Sequence, residues 1–179
     1  MPTIKEIAKA CNVSVATVSN IINHKGSVGD ATRERVEQVI REMNYTPNYV
    51  AKNLKTKNTR SIGVIAEDMT VFALPDIIDG ITEYCEEEDY QILLVNLRLY
   101  KKFQDKYYRD NRHKEIVRQE IQKLLAKQVE GIIYVAAHER LINIIPEDLP
   151  IPTVVAYGFT GSEKIPSVVV KDIKGAYDL

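Results

Sequence analysis

The stretch TIKEIAKACNVSVATVSNIIN, residues 3–23, predicts two short helices separated by a tight turn. Thr3 and Glu6 have the spacing of a capping box, in which a hydroxyl and an acidic side chain satisfy the first amide groups of a helix. After a short turn, Ser14 can cap a second helix. A third helix is expected to begin near Asp30. Three short helices with this tight turn form a helix-turn-helix.

The second helix has one apolar face and one face of small side chains. The apolar positions are Val18, Ile21 and Ile22, so the outward positions are Val15, Ala16, Ser19 and Asn20. A recognition helix enters the major groove, and small leading side chains permit that approach. Asn20 can pair with an adenine edge, and Val15 or Ala16 can contact a thymine methyl group. A three-helix bundle with a polar face is the alternative from spacing alone.

The basic segment NYVAKNLKTKNTR, residues 48–60, follows the predicted bundle. Asn48 can cap a short helix that carries Val50, Ala51, Lys52, Leu54 and Lys55. A helix of about eight residues is unstable alone in water and needs a partner surface. One interpretation is a segment that folds on DNA and inserts Leu54 between base steps. The other interpretation is a flexible basic linker.

Charge is distributed unevenly along the chain. Residues 1–60 contain ten Lys or Arg and five Asp or Glu, a net charge of +5, whereas residues 61–179 contain fourteen and twenty, a net charge of −6. A basic N-terminal part favours a polyanionic partner for that part only.

Cys11 and Cys85 have no metal-ligand spacing, so they are expected to be reduced, buried thiols, with no metal or cofactor. The N-terminus lacks the apolar core of a signal peptide, and the expected location is the cytoplasm.

After Arg60, short β-branched runs alternate with helical patterns. The runs cover residues 61–66, 91–96, 131–136, 153–157 and 167–170. One helical pattern passes through Ile77, Ile78, Ile81 and Tyr84, and a longer charged one ends in Leu124 and Leu125. This alternation predicts a doubly wound α/β sheet, on which ligands bind outside the carboxyl ends of the strands.

Few side chains in this second part have a catalytic pattern. The best catalytic candidates are Glu67 and Asp68, or His138 and Glu139, at the ends of predicted strands, but paired acids are usually solvated loop residues. The sequence contains no Gly-rich phosphate loop, no His-Glu-x-x-His pattern and no Ser elbow, so an enzyme is not expected. A stand-alone sugar-binding protein is also disfavoured, because it would lack the helix-turn-helix. The basic half of residues 97–128 is interpreted as a solvated face in preference to an added contact with DNA or a partner.

Three stretches resemble the lac-repressor (LacI/GalR) family of bacterial transcriptional regulators: residues 3–23, residues 31–65 (ATRERVEQVIREMNYTPNYVAKNLKTKNTRSIGVI) and residues 129–135 (VEGIIYV). The resemblance implies an all-α helix-turn-helix DNA-binding domain at 1–46 and a hinge helix and linker at 47–60. It implies a partial periplasmic-binding-protein-like core, a parallel doubly wound α/β sheet, at 61–179. The implied protein is a repressor that binds a palindromic double-stranded DNA operator as a homodimer and responds to a small effector such as a sugar. The core is expected to be shorter than in that family, so the alternative is a DNA-binding regulator fragment without effector response.

The resemblance also assigns roles to individual positions. The base-contacting positions are Val15, Ala16 and Asn20, and the phosphate-contacting positions are Thr3, Ser14, Thr17, Ser19, Asn23, Tyr45 and Asn48. The minor-groove positions of the hinge are Ala51, Lys52, Leu54 and Lys55, and the effector-binding positions are Phe72 and Tyr157.

The chain departs from the family pattern at three of these positions. The family usually has Arg in place of Asn20, and often has Asn-Pro-Phe-Phe where this chain has Val71-Phe72-Ala73-Leu74 and an Asp-Arg pair where it has Tyr157-Gly158-Phe159. Because Arg favours guanine and Asn favours adenine, the half-site cannot be copied from relatives. The missing arginine leaves the class of effector open, and Phe72 and Tyr157 are equally well explained by packing in the core or cleft wall.

Overall fold

The chain divides into two compact units, Met1–Lys57 and Asn58–Leu179. The structure is a computed structural model that describes residues 2–46, 59–71, 73–110 and 112–170. No helix among these residues combines the length and the apolar character needed to cross a bilayer.

The first unit contains the three predicted helices, α1 (Ile4–Ala10), α2 (Val15–Ile22) and α3 (Asp30–Glu42). The capping box is present at the start of α1, where the Thr3 amide donates to Glu6 Oε2 at 2.7 Å and the Glu6 amide donates to Thr3 Oγ1 at 3.4 Å. At the start of α2, Ser14 Oγ accepts a hydrogen bond of 3.0 Å from the Thr17 amide. Both predicted caps are therefore confirmed.

The three helices enclose a small core. Val18 and Ile21 of α2 are buried together with Ile7, Cys11 and Val36, and Ile22 packs partly buried against them. The predicted inner face of α2 is thus confirmed, and its opposite face is left for solvent or a partner.

The second unit is built on five parallel strands in the order β2-β1-β3-β4-β5. The chain adds β2 on one side of β1 and then β3 on the other side, which is the doubly wound arrangement that the sequence predicts. The strand bounds are β1 Ser61–Ala66, β2 Gln91–Asn96, β3 Gly131–Val135, β4 Thr153–Ala156 and β5 Ser167–Val168. The last three strands are shorter than predicted, and β4 stops before Tyr157, whose φ of 56° is not an extended conformation.

Helices cover both faces of this sheet. On one face α4 (Leu74–Glu87) packs Leu74 and Ile78 against Val64 and Val135. On the other face α7 (Lys114–Ala126) contributes Val117, Ile121 and Leu124 to a larger core. Cys85 is buried and, like Cys11, is a free thiol, as predicted.

Two sequence-based expectations about these helices are wrong. Tyr84, predicted on the apolar stripe of α4, is 65% exposed, because it borders an open groove of about 400 Å³ that runs along Ile62, Ile133 and Val154. The charged pattern before α7 is not one helix. It forms α5 (Leu99–Phe103), a 3-10 turn (Gln104–Lys106) and α6 (Tyr107–Asp110).

Candidate nucleic-acid interface and the carboxyl edge of the sheet

The outward face of α2 carries the three predicted base-contacting residues. Val15, Ala16 and Asn20 are all exposed, and Val15 has 41% of its surface accessible. All three side chains are uncharged, and Val15 and Ala16 lie in the first turn, where bulk would hold a helix away from base edges. This surface offers one amide and two short apolar groups, which can read an adenine edge and a thymine methyl group.

Six of the seven predicted phosphate-contacting residues are described: Thr3 and Ser14 cap α1 and α2, Thr17 and Ser19 lie in α2, Asn23 follows α2 and Tyr45 follows α3. Ser14 is exposed, and its hydroxyl lies 2.9 Å from the half-buried Thr17 hydroxyl at the start of α2. Amide groups at a helix start carry partial positive charge, which favours a phosphate there. Ser19 in α2 and Asn23 just after α2 are half-buried and lie one helical turn apart. Asn23 Nδ2 donates a hydrogen bond of 2.7 Å to the Ser19 carbonyl. Tyr45 packs partly buried against the helical core.

Thr3 differs from the other hydroxyl positions, because it already has a partner. Its hydroxyl donates to Glu6 Oε2 at 3.0 Å. The backbone hydrogen bond from Thr3, reinforced by this hydroxyl, lowers the pKa of the Glu6 carboxyl below its usual value. A carboxylate therefore stands next to this hydroxyl, so Thr3 would have to exchange Glu6 for a phosphate.

The remaining predicted positions are split between the sheet and the undescribed residues. Asn48, the hinge residues Ala51, Lys52, Leu54 and Lys55, and the effector residue Phe72 lie outside the described residues. Tyr157 lies directly after β4, at the carboxyl edge of the sheet, and is half-buried against the core on the α4 face. Its amide donates to the Val168 carbonyl at 2.9 Å.

At the same edge, Glu67 and Asp68 are both fully buried, so the expectation of solvated loop residues is wrong. Glu67 is tolerated inside because a cation reaches it: the Arg140 guanidinium donates from Nη2 to Oε1 at 2.6 Å and from Nη1 to Oε2 at 3.1 Å. Three further donors complete the shell of this carboxylate, namely Tyr134 Oη at 2.6 Å, Tyr107 Oη at 3.1 Å and the Ala137 amide at 2.8 Å.

The electrostatics of this buried cluster follow from its charges. Burial, followed by the negative charge of Glu67, raises the pKa of the Tyr134 phenol well above its usual value, so Tyr134 is a neutral donor. Burial opposes the charge on Arg140, but the hydrogen bond and the charge of Glu67 raise the pKa of the guanidinium. Because a carboxylate has about four acceptor positions, Glu67 has none left to act on a ligand.

Asp68 fixes the segment that follows β2. Although its burial disfavours ionisation, hydrogen bonds from the Thr70 hydroxyl (2.7 Å), the Thr70 amide (3.1 Å) and the Lys101 amide (3.2 Å) lower the pKa of the Asp68 carboxyl. The Leu99 amide also donates to the Glu67 carbonyl at 2.8 Å. The connection after β2 is therefore bound to the end of β1.

Sequence reasoning did not identify Arg140, Tyr107 or Tyr134 as members of one cluster. Tyr134 was visible only as part of a strand, and Arg140 follows β3 by five residues, in a connection without periodicity. Among the described residues, no group of His, Cys, Asp and Glu has the arrangement of a metal site. The edge therefore holds a structural ion pair at the place where ligands bind to sheets of this kind.

Comparison with known proteins relates both units to one group. Residues 3–48 match the bacterial regulatory proteins of the lacI family. The chain is 32% identical over 178 residues to the HTH-type transcriptional regulator RegA of Clostridium saccharobutylicum, and 31% identical over 180 residues to the HTH-type transcriptional repressor PurR of Vibrio atlanticus. These alignments cover 98% and 99% of this chain but 49% and 50% of the relatives, so the chain spans about half the length of the curated relatives it matches.

Solved structures show the same fold. A lac repressor dimer bound to operator and the anti-inducer ONPF aligns with a TM-score of 0.74 at 22% identity, over 99% of this chain and 52% of that one. A LacI-family regulator from Silicibacter pomeroyi aligns with a TM-score of 0.68 at 21% identity, over 95% and 47%. The helix-turn-helix and the parallel sheet thus have the fold of these regulators.

Proposed function

Because this chain belongs to the LacI family of bacterial regulatory proteins, we propose that it is a sequence-specific DNA-binding transcriptional regulator. It binds a palindromic operator as a homodimer, represses transcription from that site and acts in the cytoplasm, without catalytic activity. The exposed face of α2 is the observation that carries the proposal, because it presents Val15, Ala16 and Asn20 from a helix whose other face is buried.

Each predicted contact has a separate part in this function. Asn20 reads an adenine through its amide, and Val15 or Ala16 contacts a thymine methyl group. Ser14 and Thr17 hold a phosphate at the start of α2 and so set the register of the helix. Phosphate contacts release counterions, and we therefore expect affinity to fall steeply with salt.

The hinge and the effector response complete the proposed mechanism. Leu54, with Ala51, Lys52 and Lys55, contacts the minor groove at the operator centre, a role that follows from the family resemblance. A small molecule such as a sugar binds at the carboxyl edge of the sheet, where Tyr157 lies and where Phe72 is assigned by that resemblance.

One observation favours a second candidate, a DNA-binding regulator without effector response. Arg140 lies at the carboxyl edge, but its guanidinium is already engaged by the buried carboxylate of Glu67. An effector that paired with Arg140 would have to displace this internal carboxylate. Calorimetric titration of sugars and nucleobases separates the two: heat of binding with a loss of operator affinity supports the sensing repressor, and its absence across the panel supports the second candidate.

Selection of binding sites from random duplex DNA tests the DNA-binding function. The wild-type chain should enrich a palindrome with adenine at the position that Asn20 contacts, and Asn20→Arg should change that position to guanine. Gln38→Arg adds the same charge on α3, at an exposed site away from the α2 face, and should leave the selected sequence unchanged. A wild-type chain that enriches no sequence at low salt would contradict the proposal.

A further inference from the structure

A basic pocket of about 500 Å³ lies beside the start of α7, on a part of the second unit that the proposed function does not use. Its first wall comes from the residues that open α7, and its second wall comes from the connection between β3 and β4. The first wall carries Arg112, Lys114, Glu115 and Arg118, and the second carries Asn143, Ile144, Ile145 and Pro146.

The charge of this region is opposite to that of the unit around it. Residues 98–118 contain eight Lys or Arg and three Asp or Glu, a net charge of +5. The rest of residues 61–179 contains six and seventeen, a net charge of −11. Of the eight cations in this stretch, Arg112, Lys114 and Arg118 line the pocket together with one acid, Glu115, so the pocket itself has a net charge of +2. A positive concave surface on an acidic unit attracts an anion, because the field is focused there.

Two cations of the pocket are placed so that both can bind the same anionic group of a ligand. Lys114 and Arg118 are four residues apart on α7, so their side chains leave the same face of the helix. Both are exposed, and both line the pocket. The start of the 13-residue α7 has no side-chain cap, so the partial positive charge of its first amides adds to that of the two side chains.

The second wall of the pocket is largely apolar. Ile144 and Ile145 are buried and Pro146 is half-buried, so a bound molecule would rest on hydrocarbon while its charged end faces α7. The volume lies within the range of about 300–1,000 Å³ that small-molecule sites have. A concave site with one apolar wall fits a small molecule better than the convex backbone of a duplex.

We propose that this pocket binds a phosphorylated small molecule, with the phosphate between Lys114 and Arg118 and the uncharged part on Ile144 and Ile145. A phosphate monoester matches the site because its two charges and three oxygens can accept from both side chains at once. Such a site would give the regulator a second ligand input, separate from the carboxyl edge near Tyr157.

The test uses the full chain, ¹⁵N-labelled, with phenyl phosphate as the probe and inorganic phosphate for comparison. Phenyl phosphate should shift the amide signals of Lys114–Arg118 and residues 143–145 in a saturable way, and inorganic phosphate should bind several-fold more weakly because it lacks the apolar part. Lys114→Gln combined with Arg118→Gln should weaken phenyl phosphate at least tenfold. The matched control, Lys123→Gln combined with Lys127→Gln, removes two charges near the end of the same helix and should retain affinity.

Several outcomes would overturn this proposal. If sodium chloride at equal ionic strength reproduced the signal shifts, the shifts would come from charge screening alone. If the shifts were confined to residues 2–46, the anion would bind to the helix-turn-helix instead. Equal losses in both double variants would show a general charge effect. If non-specific DNA, but not phenyl phosphate, shifted the pocket signals, the site would be a DNA contact instead. The measurement needs no operator DNA, so its result does not depend on whether the proposed repressor function is correct.

Discussion

Replacement of Glu67 by Ala should destabilise the second unit more than any surface substitution. The variant leaves the Arg140 guanidinium, only 15% exposed, without its carboxylate, and the fully buried Tyr134 hydroxyl without its acceptor. Breaking a buried ion pair by removing one partner costs about 3–5 kcal/mol. Since domains are stable by only about 5–15 kcal/mol, this loss would remove at least about a fifth of the free energy of unfolding of the unit.

Urea unfolding followed by tyrosine fluorescence measures this loss, because most of the ten tyrosines lie in the second unit. Arg140→Met should also destabilise, and the double variant Glu67→Ala with Arg140→Met should lose less than the sum of the two single losses by about 1–3 kcal/mol. Glu120→Ala removes a surface ion pair with the exposed Lys123 and should change the free energy of unfolding by less than about 1 kcal/mol. Additive single losses, or a Glu67→Ala loss no larger than that of Glu120→Ala, would refute this account of the cluster.

Three further predictions follow from local geometry. Gly63→Ala should lower the free energy of unfolding by about 1–3 kcal/mol, because a Cβ there would lie 2.7 Å from Leu124 Cδ1. Gly80→Ala has open space around it and should raise the free energy of unfolding by about 0.5–1 kcal/mol. Urea midpoints of the two variants that move in the same direction would contradict this prediction. Asp68 has a lowered pKa, so its stabilisation is present above the ordinary aspartate pKa of about 3.9 and is lost as the pH falls through the folded value. The stability difference between wild type and Asp68→Asn should therefore shrink below about pH 4, and a constant difference down to pH 2 would argue against it. Ser14→Ala should cost the first unit about 1 kcal/mol, seen as a lower thermal midpoint by circular dichroism, whereas an unchanged midpoint would mean that the cap contributes little.

Much of the fold was predictable because its signals are local. The caps at Thr3 and Ser14 and the buried positions Val18 and Ile21 depend on spacings of a few residues, which the sequence displays directly. The strands β1 and β2 have the predicted bounds, because β-branched runs are long enough there to define both ends. The limits of β4 and β5 were less certain, since backbone conformation at Tyr157, rather than composition, ends the strand.

The carboxyl edge could not be predicted because its partners are distant in sequence. Glu67 looks like any acid after a strand until Arg140 is known to reach it, and no spacing rule connects positions 73 residues apart. The breaks between α5, α6 and α7 have the same origin, since buried Leu99 and Tyr107 fold that segment against the end of the sheet. The prediction for Tyr84 was wrong although its signal is local. Helical spacing placed Tyr84 on the apolar face of α4, but the neighbouring surface is an open groove.

The convergence on Glu67 also bears on the order in which this chain acquires structure during synthesis. Its donors lie 40, 67, 70 and 73 residues further along the chain, at Tyr107, Tyr134, Ala137 and Arg140. Until Arg140 has been translated, the Glu67 carboxylate has no cation to accompany it into the interior and must remain hydrated. The helix-turn-helix, whose contacts are local, can form while the sheet is still open, and the closing of that edge becomes a late, long-range step of folding.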